Sequence, residues 1–108
     1  MTVLTVDDAF RALADARRRE LISILAREGT GTSVGLAQRL NITRQAVAKH
    51  FRVLQKARLV TKTRRGREEH YNLSLDQFAA VREWMREVEI EWDRRLDRLK
   101  ALVETPEE

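Results

Sequence analysis

The sequence predicts a mainly α-helical chain with a small β-hairpin: four helices, then the hairpin, then a fifth helix. Apolar residues recur every three or four positions through most of the chain, as they do on one face of an α-helix. Between residues 59 and 73 this period is lost. There, β-branched and aromatic residues flank Arg65-Gly66-Arg67, which is typical of a tight hairpin turn. With 108 residues there is room for one domain, and residues 1–108 are assigned to it.

The first helical stretch divides into two helices, over about 7–14 and 16–27. Its apolar stripe is interrupted at Asp15-Ala16. An aspartate at this point favours the start of a new helix, because its carboxylate accepts a hydrogen bond from a free amide of the first turn and complements the positive helix end. The segment 28–32 contains two glycines and two threonines and is expected to be a loop.

Two short helices joined by a three-residue turn follow, over about 33–40 and 44–57. Thr32 or Ser33 is expected to cap the first helix, and Thr43 the second. Three apolar residues of the second helix, spaced i, i+4 and i+7, form a core-facing stripe: Val47, Phe51 and Leu54. The polar residues between them therefore face outward.

The hairpin strands are predicted over 59–64 and 68–73, and a last helix over about 76–103. The apolar residues of this helix are spaced 3-4-3-4-4-3-4, close to a coiled-coil seam. They are Phe78, Val81, Met85, Val88, Trp92, Leu96, Leu99 and Val103. Because a chain of this size cannot cover so long a seam, residues 76–103 are predicted to form the dimerisation helix of a homodimer.

Basic residues are concentrated in the first three quarters of the chain. The net charge is only +4, yet residues 1–75 carry 15 Lys/Arg and 7 Asp/Glu, whereas residues 76–108 carry 6 and 10. The 39 residues from 29 to 67 contain ten basic residues and no acidic one. Since an ordinary solvated surface mixes both signs, this stretch predicts a polyanionic partner, and double-stranded DNA is the one expected.

The two short helices and the hairpin together describe a winged helix-turn-helix with a two-stranded wing. The major groove of B-DNA admits an α-helix, and its base edges distinguish every base pair. Arg44 is suited to a bidentate contact with guanine, and Gln45 to one with adenine. Lys49 and Arg52, one or two turns further along, are placed to reach base edges or phosphates. Thr43 and the helix N-terminus are expected to bind a phosphate.

A second DNA contact is predicted for the hairpin. Its glycine-tipped loop carries Arg64, Arg65 and Arg67, and arginines fit the narrow, electronegative minor groove. A charge run alone is weak evidence, and a helix-turn-helix pattern alone is moderate evidence. Together, the basic stretch and the helix-turn-helix followed by the hairpin predict that residues 7–75 form a DNA-binding core.

Three segments within about residues 7–75 resemble the ArsR family of winged-helix repressors: LADARRRELISIL, SVGLAQRLNITRQAVAKHFRVLQKARLV and KTRRGREEHYNL. The tail EWMREVEIEWDRRLDRLKALVE resembles a branch of that family without metal sites. Two positions depart from the family pattern. The family usually has proline at Ala16, so Asp15 alone starts the second helix. It usually has glycine at Arg58, so this arginine must adopt a costlier left-handed conformation or the helix must end differently.

The resemblance implies roles for individual residues. On the helix that enters DNA it places Thr43, Arg44, Gln45, Lys49 and His50, and on the wing Arg65 and Arg67. Within that helix, His50 is expected either to face DNA or to lie at the edge of the core. It also implies that the first and last helices form the dimer interface. The candidate interface residues are Phe10, Phe78, Val81, Met85, Val88, Trp92, Leu96 and Leu99.

No cofactor and no metal are expected. The chain has no cysteine, which excludes disulfides, thiol catalysis and thiolate metal sites. The family's thiolate positions read Ser33, Val34 and Gly35 here, and the last helix has no histidine. No nucleophile–base pair or paired acids indicate an enzyme. No apolar run approaches the roughly 20 residues needed to span a bilayer, and the N-terminus lacks a signal-peptide pattern, so a cytoplasmic location without membrane contact is expected.

The predicted function is that of a sequence-specific DNA-binding transcriptional regulator, a repressor that acts as a homodimer on a palindromic operator. The alternative is a non-specific architectural DNA-binding protein, which would lose little affinity on scrambled DNA. The seam of the last helix is interpreted as a dimer core rather than a pocket for an organic ligand, because stripes at helical spacing are usually core. The sequence identifies neither the operator nor a small-molecule effector.

Overall fold

The structure, a computed structural model, describes residues 6–104. Within this range the elements are α1 (Val6–Leu13), α2 (Ala16–Glu28), β1 (Gly31–Thr32), α3 (Ser33–Leu40), α4 (Arg44–Lys56), β2 (Val60–Arg65), β3 (Glu68–Leu73) and α5 (Asp76–Val103). The five predicted helices and the hairpin are confirmed, with bounds within a residue or two of those expected. The described part of the chain contains no helix apolar and long enough to cross a membrane.

The sheet has three strands rather than the two predicted. Its order is β1-β3-β2 with antiparallel pairing, and the expected loop over 28–32 includes a strand that pairs Gly31 with Tyr71 and Thr32 with His70. A Cβ at Gly31 would lie 2.9 Å from a methyl carbon of Leu36. A side chain at this position would require Leu36 to shift, whereas glycine lets the backbone pass close to the core where β1 pairs with β3.

The core lies between the first four helices and the sheet. Its largest fully buried side chains are Phe51, Leu21, Leu25, Leu54, Leu59 and Val47. The rings of Phe51 and Tyr71 stack with their centroids 3.9 Å apart and their planes 10° from parallel. This contact joins α4 to β3, so it fixes the position of the wing relative to α4.

Asp15 starts α2, as predicted. Its carboxylate accepts hydrogen bonds from the backbone N–H of Arg17 (2.8 Å) and of Arg18 (3.2 Å). The hydrogen bond from the Arg18 amide is the largest of the causes that lower the pKa of Asp15. The Arg18 and Arg19 side chains donate back to carbonyls at the end of α1, at 2.6 Å from Ala12 and 2.7 Å from Leu13. The junction therefore satisfies backbone groups at the end of one helix and the start of the next.

α4 ends in a left-handed residue that is not glycine. Arg58 has φ of 57°, the costlier conformation that the sequence left as one of two possibilities. The backbone N–H of Leu59 donates to the carbonyl of Leu54 at 3.0 Å, and that of Arg58 to the carbonyl of Gln55 at 3.0 Å. These bonds close the last turn of the helix in the manner of a Schellman motif.

α5 has 28 residues and extends away from the rest of the molecule. The radius of gyration is 20.0 Å, compared with about 13 Å for a compact chain of this length. α5 packs against α1 near its own start, where the rings of Phe10 and Trp84 meet edge to face at 5.3 Å between centroids. Val81 is the buried residue of this helix. Most of α5 thus lies outside the core.

Candidate DNA-binding surface

α3 and α4 form a helix-turn-helix joined by the three residues Asn41-Ile42-Thr43. Asn41 adopts the left-handed conformation that ends α3, with φ of 55° and ψ of 46°, which asparagine tolerates better than most residues. Thr43 then caps α4, as predicted, by accepting a hydrogen bond from the backbone N–H of Ala46 at 3.0 Å. The turn thereby fixes where α4 begins and which face it exposes.

α4 has one apolar face and one polar face. Val47, Phe51 and Leu54 are fully buried. The opposite face exposes the four polar residues assigned to DNA: Arg44, Gln45, Lys49 and Arg52. Basic residues without neighbouring acids on an exposed helix face create a positive potential toward an anionic partner.

His50 lies away from this polar face. It is half-buried, and it is close enough to Asp15 to contribute to lowering the pKa of that carboxyl group. α2 and α4 are in contact. His50 thus differs from the four exposed residues of the polar face in being partly covered by the chain.

The wing is the β2–β3 hairpin, in which Arg65 pairs with Glu68. Gly66 at its tip has φ of 62°, a conformation that favours glycine. Arg64, Arg65 and Arg67 are all exposed. The side chain of Arg64 donates to the carbonyl oxygen of Gly66 at 3.2 Å, which holds this arginine near the tip.

A cleft of about 800 Å³ lies between α4 and the wing. Arg44 and Gln45 line it from α4, and Arg64 and Arg67 from the wing. The structure thus brings together four of the residues predicted to contact DNA, from segments about 20 positions apart. Lys49, Arg52 and Arg65 are exposed but do not line this cleft.

The start of α3 also lines this cleft, a feature that the sequence did not reveal. Thr32 and Ser33 lie there, and Thr32 caps the helix by accepting a hydrogen bond from the backbone N–H of Gly35 at 3.1 Å. The N-terminal amides of a helix attract anions. In the sequence, Thr32 indicates only where α3 begins, and it does not show that the start of α3 faces this cleft.

Two acidic residues of β3 line the cleft as well. Glu69 pairs with Lys62 at 3.5 Å, and Glu68 lies 3.2 Å from Nε2 of His70. Both glutamates lie just after the acid-free stretch 29–67, and no role was predicted for them. Their charges reduce the positive potential of the cleft, although the Lys62 ammonium offsets that of Glu69.

The apolar residues proposed for dimerisation fall into two groups. Val81 is buried within the single chain, and Phe10 and Phe78 pack against the same core. The remaining five form an exposed stripe on α5: Met85, Val88, Trp92, Leu96 and Leu99. Trp92 is 57% exposed, which for so large an apolar side chain marks an interaction surface.

The described residues contain no group of three or more His, Asp or Glu side chains placed to hold a metal ion.

Comparison with known proteins identifies the class. A model of a helix-turn-helix domain family matches residues 13–63. The HTH-type transcriptional regulator Rv2034 of Mycobacterium tuberculosis is 34% identical over 104 residues, which cover 96% of this chain and 94% of that protein. A solved ArsR-like transcriptional regulator from Rhodococcus sp. RHA1 is 34% identical, with a TM-score of 0.77 over 94% of each chain.

A further solved structure matches in fold. It is the homodimeric winged helix-turn-helix DNA-binding domain Mb0332 of Mycobacterium bovis, with a TM-score of 0.64 and 22% identity over 80% of this chain and 79% of that one. The fold and the basic cleft together define a winged helix-turn-helix transcription regulator. Within that class, the chain belongs to the ArsR family.

Proposed function

We propose that this regulator binds a palindromic operator as a homodimer and represses transcription, with residues 7–75 contacting DNA and residues 76–103 joining the subunits. The observation that carries the proposal is the convergence of Arg44 and Gln45 with Arg64 and Arg67 around one cleft. Arginine and glutamine in such a place have the geometry for guanine, adenine and phosphate.

The cleft has the position of a phosphate strand. In B-DNA, one sugar-phosphate strand separates a major groove from the adjacent minor groove. If α4 enters the major groove and the wing the minor groove, this strand runs over the cleft between them. There it meets the two arginines of the wing side and the positive end of α3, capped by Thr32.

Base reading is assigned to the first turn of α4. Arg44 and Gln45 are exposed immediately after the Thr43 cap, and the N-terminal residues of such a helix are those that contact base edges. Lys49 and Arg52 lie further along the same exposed face, where they are suited to phosphates. Arg65, which is exposed but does not line the cleft, is assigned to the DNA backbone beyond it.

The exposed stripe of α5 supports homodimerisation. A second copy of the chain presents the same stripe, so a two-fold axis buries both at once. The M. bovis domain with this fold is homodimeric. A two-fold dimer places two copies of α4 on one DNA face, about one helical turn apart or a multiple of it, which requires a palindromic operator.

Repression is the simplest outcome of such binding, because a dimer held on promoter DNA excludes RNA polymerase without any further surface. Binding to promoter DNA also implies a cytoplasmic location, because bacterial promoters lie in the cytoplasm. A reporter gene under the selected operator tests this directly: repression requires less transcript in the presence of the regulator, and more transcript would identify an activator.

Binding-site selection from random DNA tests sequence specificity. Gln45→Ala should relax the base preference at one position of each half-site, at a cost of about 1–3 kcal/mol. Arg67→Ala should weaken binding on nearly all sequences alike, most where the flanking minor groove is narrow. Recovery of an unchanged consensus by Gln45→Ala, together with altered central bases for Arg67→Ala, would show that the reading element is wrongly assigned.

The same selection separates the proposal from a non-specific architectural DNA-binding protein. A regulator enriches a consensus with two-fold symmetry, because operator DNA binds at least about a thousandfold more tightly than scrambled DNA. An architectural protein enriches no consensus. Arg27→Ala, an exposed arginine on α2 away from both the cleft and the stripe, serves as the matched control and should recover the unmodified consensus.

A further inference from the structure

A second basic cleft lies at the end of α4 opposite to Arg44 and Gln45. Its volume is about 690 Å³, and it lies between the end of α1 and the end of α4. Four cations line it: Arg11 and Arg18 on one side, and Lys56 and Arg58 on the other. α4 has 13 residues, so roughly 18 Å separates its two ends.

The cations of this cleft do not all have the same role. Arg18 donates to the carbonyl oxygens of Ala12 (2.6 Å) and Arg11 (3.2 Å), so it caps α1. Arg11 pairs with Asp8, the one acid of the cleft, at 3.6 Å. For Lys56 and Arg58, by contrast, the structure records no ion pair or side-chain hydrogen bond with any of residues 6–104.

Lys56 and Arg58 are not needed to close α4. The backbone N–H groups of Ala57, Arg58 and Leu59 already donate to the carbonyls of Val53, Gln55 and Leu54, at 3.0 to 3.2 Å. Two side-chain charges therefore remain available at a helix end whose carbonyls are satisfied by the backbone.

The backbone at Arg58 is held in an unfavourable conformation. Its φ of 57° is one that favours glycine, and an arginine there destabilises the chain relative to glycine. Strained residues of this kind cluster at ligand clamps and switches. Glycine would end the helix equally well, but it would supply no guanidinium to the cleft.

The cleft combines these cations with an apolar lining formed by Ala12, Val53 and Ala57. A guanidinium binds carboxylate or phosphate groups through paired hydrogen bonds. The volume is in the range of pockets that hold small organic ligands. We propose that this cleft binds a small organic anion, a carboxylate or phosphate carried on an apolar body, and that this anion regulates DNA binding.

The regulatory part rests on the proposed function, since it concerns affinity for operator DNA. The cleft joins α1, which packs against α5 through Phe10 and Trp84, to α4, which carries Arg44 and Gln45. An anion held by Arg58 in this cleft, between the ends of α1 and α4, therefore couples the dimerisation helix to the DNA-reading helix. Such coupling changes affinity by about fivefold or more.

Calorimetric titration of the full chain with three probes tests the site: phenyl phosphate, benzoate and the uncharged benzyl alcohol. One or both anions should bind at one site per chain, and benzyl alcohol should bind at least tenfold more weakly. Whichever anion binds more tightly identifies the phosphate or the carboxylate as the natural head group. Equal binding of all three probes, or no binding, would overturn the proposal.

Arg58→Asn is the informative variant, because asparagine tolerates a positive φ while the substitution removes the guanidinium. It should weaken anion binding about tenfold or more, whereas Arg27→Asn, an exposed arginine on α2, should leave it unchanged. Equal weakening of anion binding by both variants would show that the anion responds to general surface charge, and it would overturn the proposal.

Operator affinity, measured by fluorescence anisotropy, completes the test. Saturating anion should change the affinity of the unmodified chain and not that of Arg58→Asn. Loss of operator affinity in Arg58→Asn without any anion would identify a DNA contact in place of a ligand site. Failure of the unmodified chain to bind any operator would instead contradict the proposed function, because anion binding is measured without DNA.

Discussion

α4 and α5 are both amphipathic helices, but they expose opposite kinds of side chain. α4 buries its apolar residues in the single chain and exposes Arg44, Lys49 and Arg52. α5 buries only Val81 and exposes a stripe that includes Trp92 and Leu96. A helix whose apolar face is already covered presents charge to its partner, whereas a helix with an uncovered apolar face requires a partner of the same kind. The two helices therefore fit different partners, a polyanion and a second copy of the chain.

The largest effect is expected on α5. Trp92→Asp combined with Leu96→Asp places four carboxylates in the two-fold interface, two from each subunit. Loss of hot-spot residues costs about 4 kcal/mol or more per dimer, roughly a thousandfold in the dissociation constant. Sedimentation equilibrium should show monomers or aggregates. Arg94→Asp, on the opposite face of the same helix, should remain dimeric. A clean monomer for the unmodified chain would contradict the assignment of the stripe.

The next largest effect is expected on α4 and the wing, where the exposed basic residues should make DNA binding strongly dependent on salt concentration. With at least about six phosphate contacts per dimer, operator affinity should fall by about three orders of magnitude between 50 and 200 mM salt, because bound cations release counterions from DNA. Anisotropy titrations at four salt concentrations measure the slope. The dimerisation constant, set by apolar contacts, should change far less over the same range. A flat slope for DNA would mean that the basic face binds something else.

A smaller effect is expected at the end of α4. Arg58→Gly removes a side chain from a left-handed residue and should raise the free energy of unfolding by about 1 kcal/mol. Urea denaturation measures the change, and Arg58→Ala, which keeps the unfavourable conformation without the charge, is the control that should not stabilise. Stabilisation by both variants would attribute the effect to charge rather than backbone strain.

The smallest effect is expected at Asp15, which caps the start of α2. Its folded-state pKa is lowered, chiefly by the hydrogen bond from the Arg18 amide. The charged carboxylate therefore stabilises the fold above the usual pKa of about 4, and this contribution is lost as the pH falls through the lowered folded-state value. Asp15→Asn keeps a capping oxygen and should lose this pH dependence. Thermal melting between pH 3 and pH 7 compares the two chains, and parallel curves would contradict the prediction.

The features predicted from the sequence are those set by neighbours along the chain. Asp15 and Thr43 cap helices through amides two or three residues away, so their roles follow from position alone. Gly31 of β1 pairs with Tyr71, forty positions distant, so no pattern among neighbouring residues predicts β1. The close approach of Gly31 to Leu36 is equally a property of the folded chain.

The candidate DNA-binding surface also has features that the sequence predicts and features that depend on the fold. The basic residues of α4 and the wing stand out in the sequence because no acid interrupts them. Their convergence around one cleft, and the presence of Glu68 and Glu69 in it, depend on how β3 docks on α4 through Tyr71 and Phe51. The same holds for His50. The sequence left it either facing DNA or at the edge of the core, and its half-buried position depends on how α4 packs in the folded chain.

The order of the sheet has a consequence for the fate of the protein when it is not on DNA. Within residues 6–104, β3 is paired on both sides, whereas β2 has β3 as its one strand neighbour and so leaves a free edge. An open strand edge can recruit strands from other molecules and begin aggregation, and natural proteins deter this with charged side chains. β2 carries Lys62, Arg64 and Arg65, all exposed. The cations of the wing therefore also keep unbound copies from pairing edge to edge, so neutralising all three should yield a protein that precipitates more readily and binds DNA more weakly.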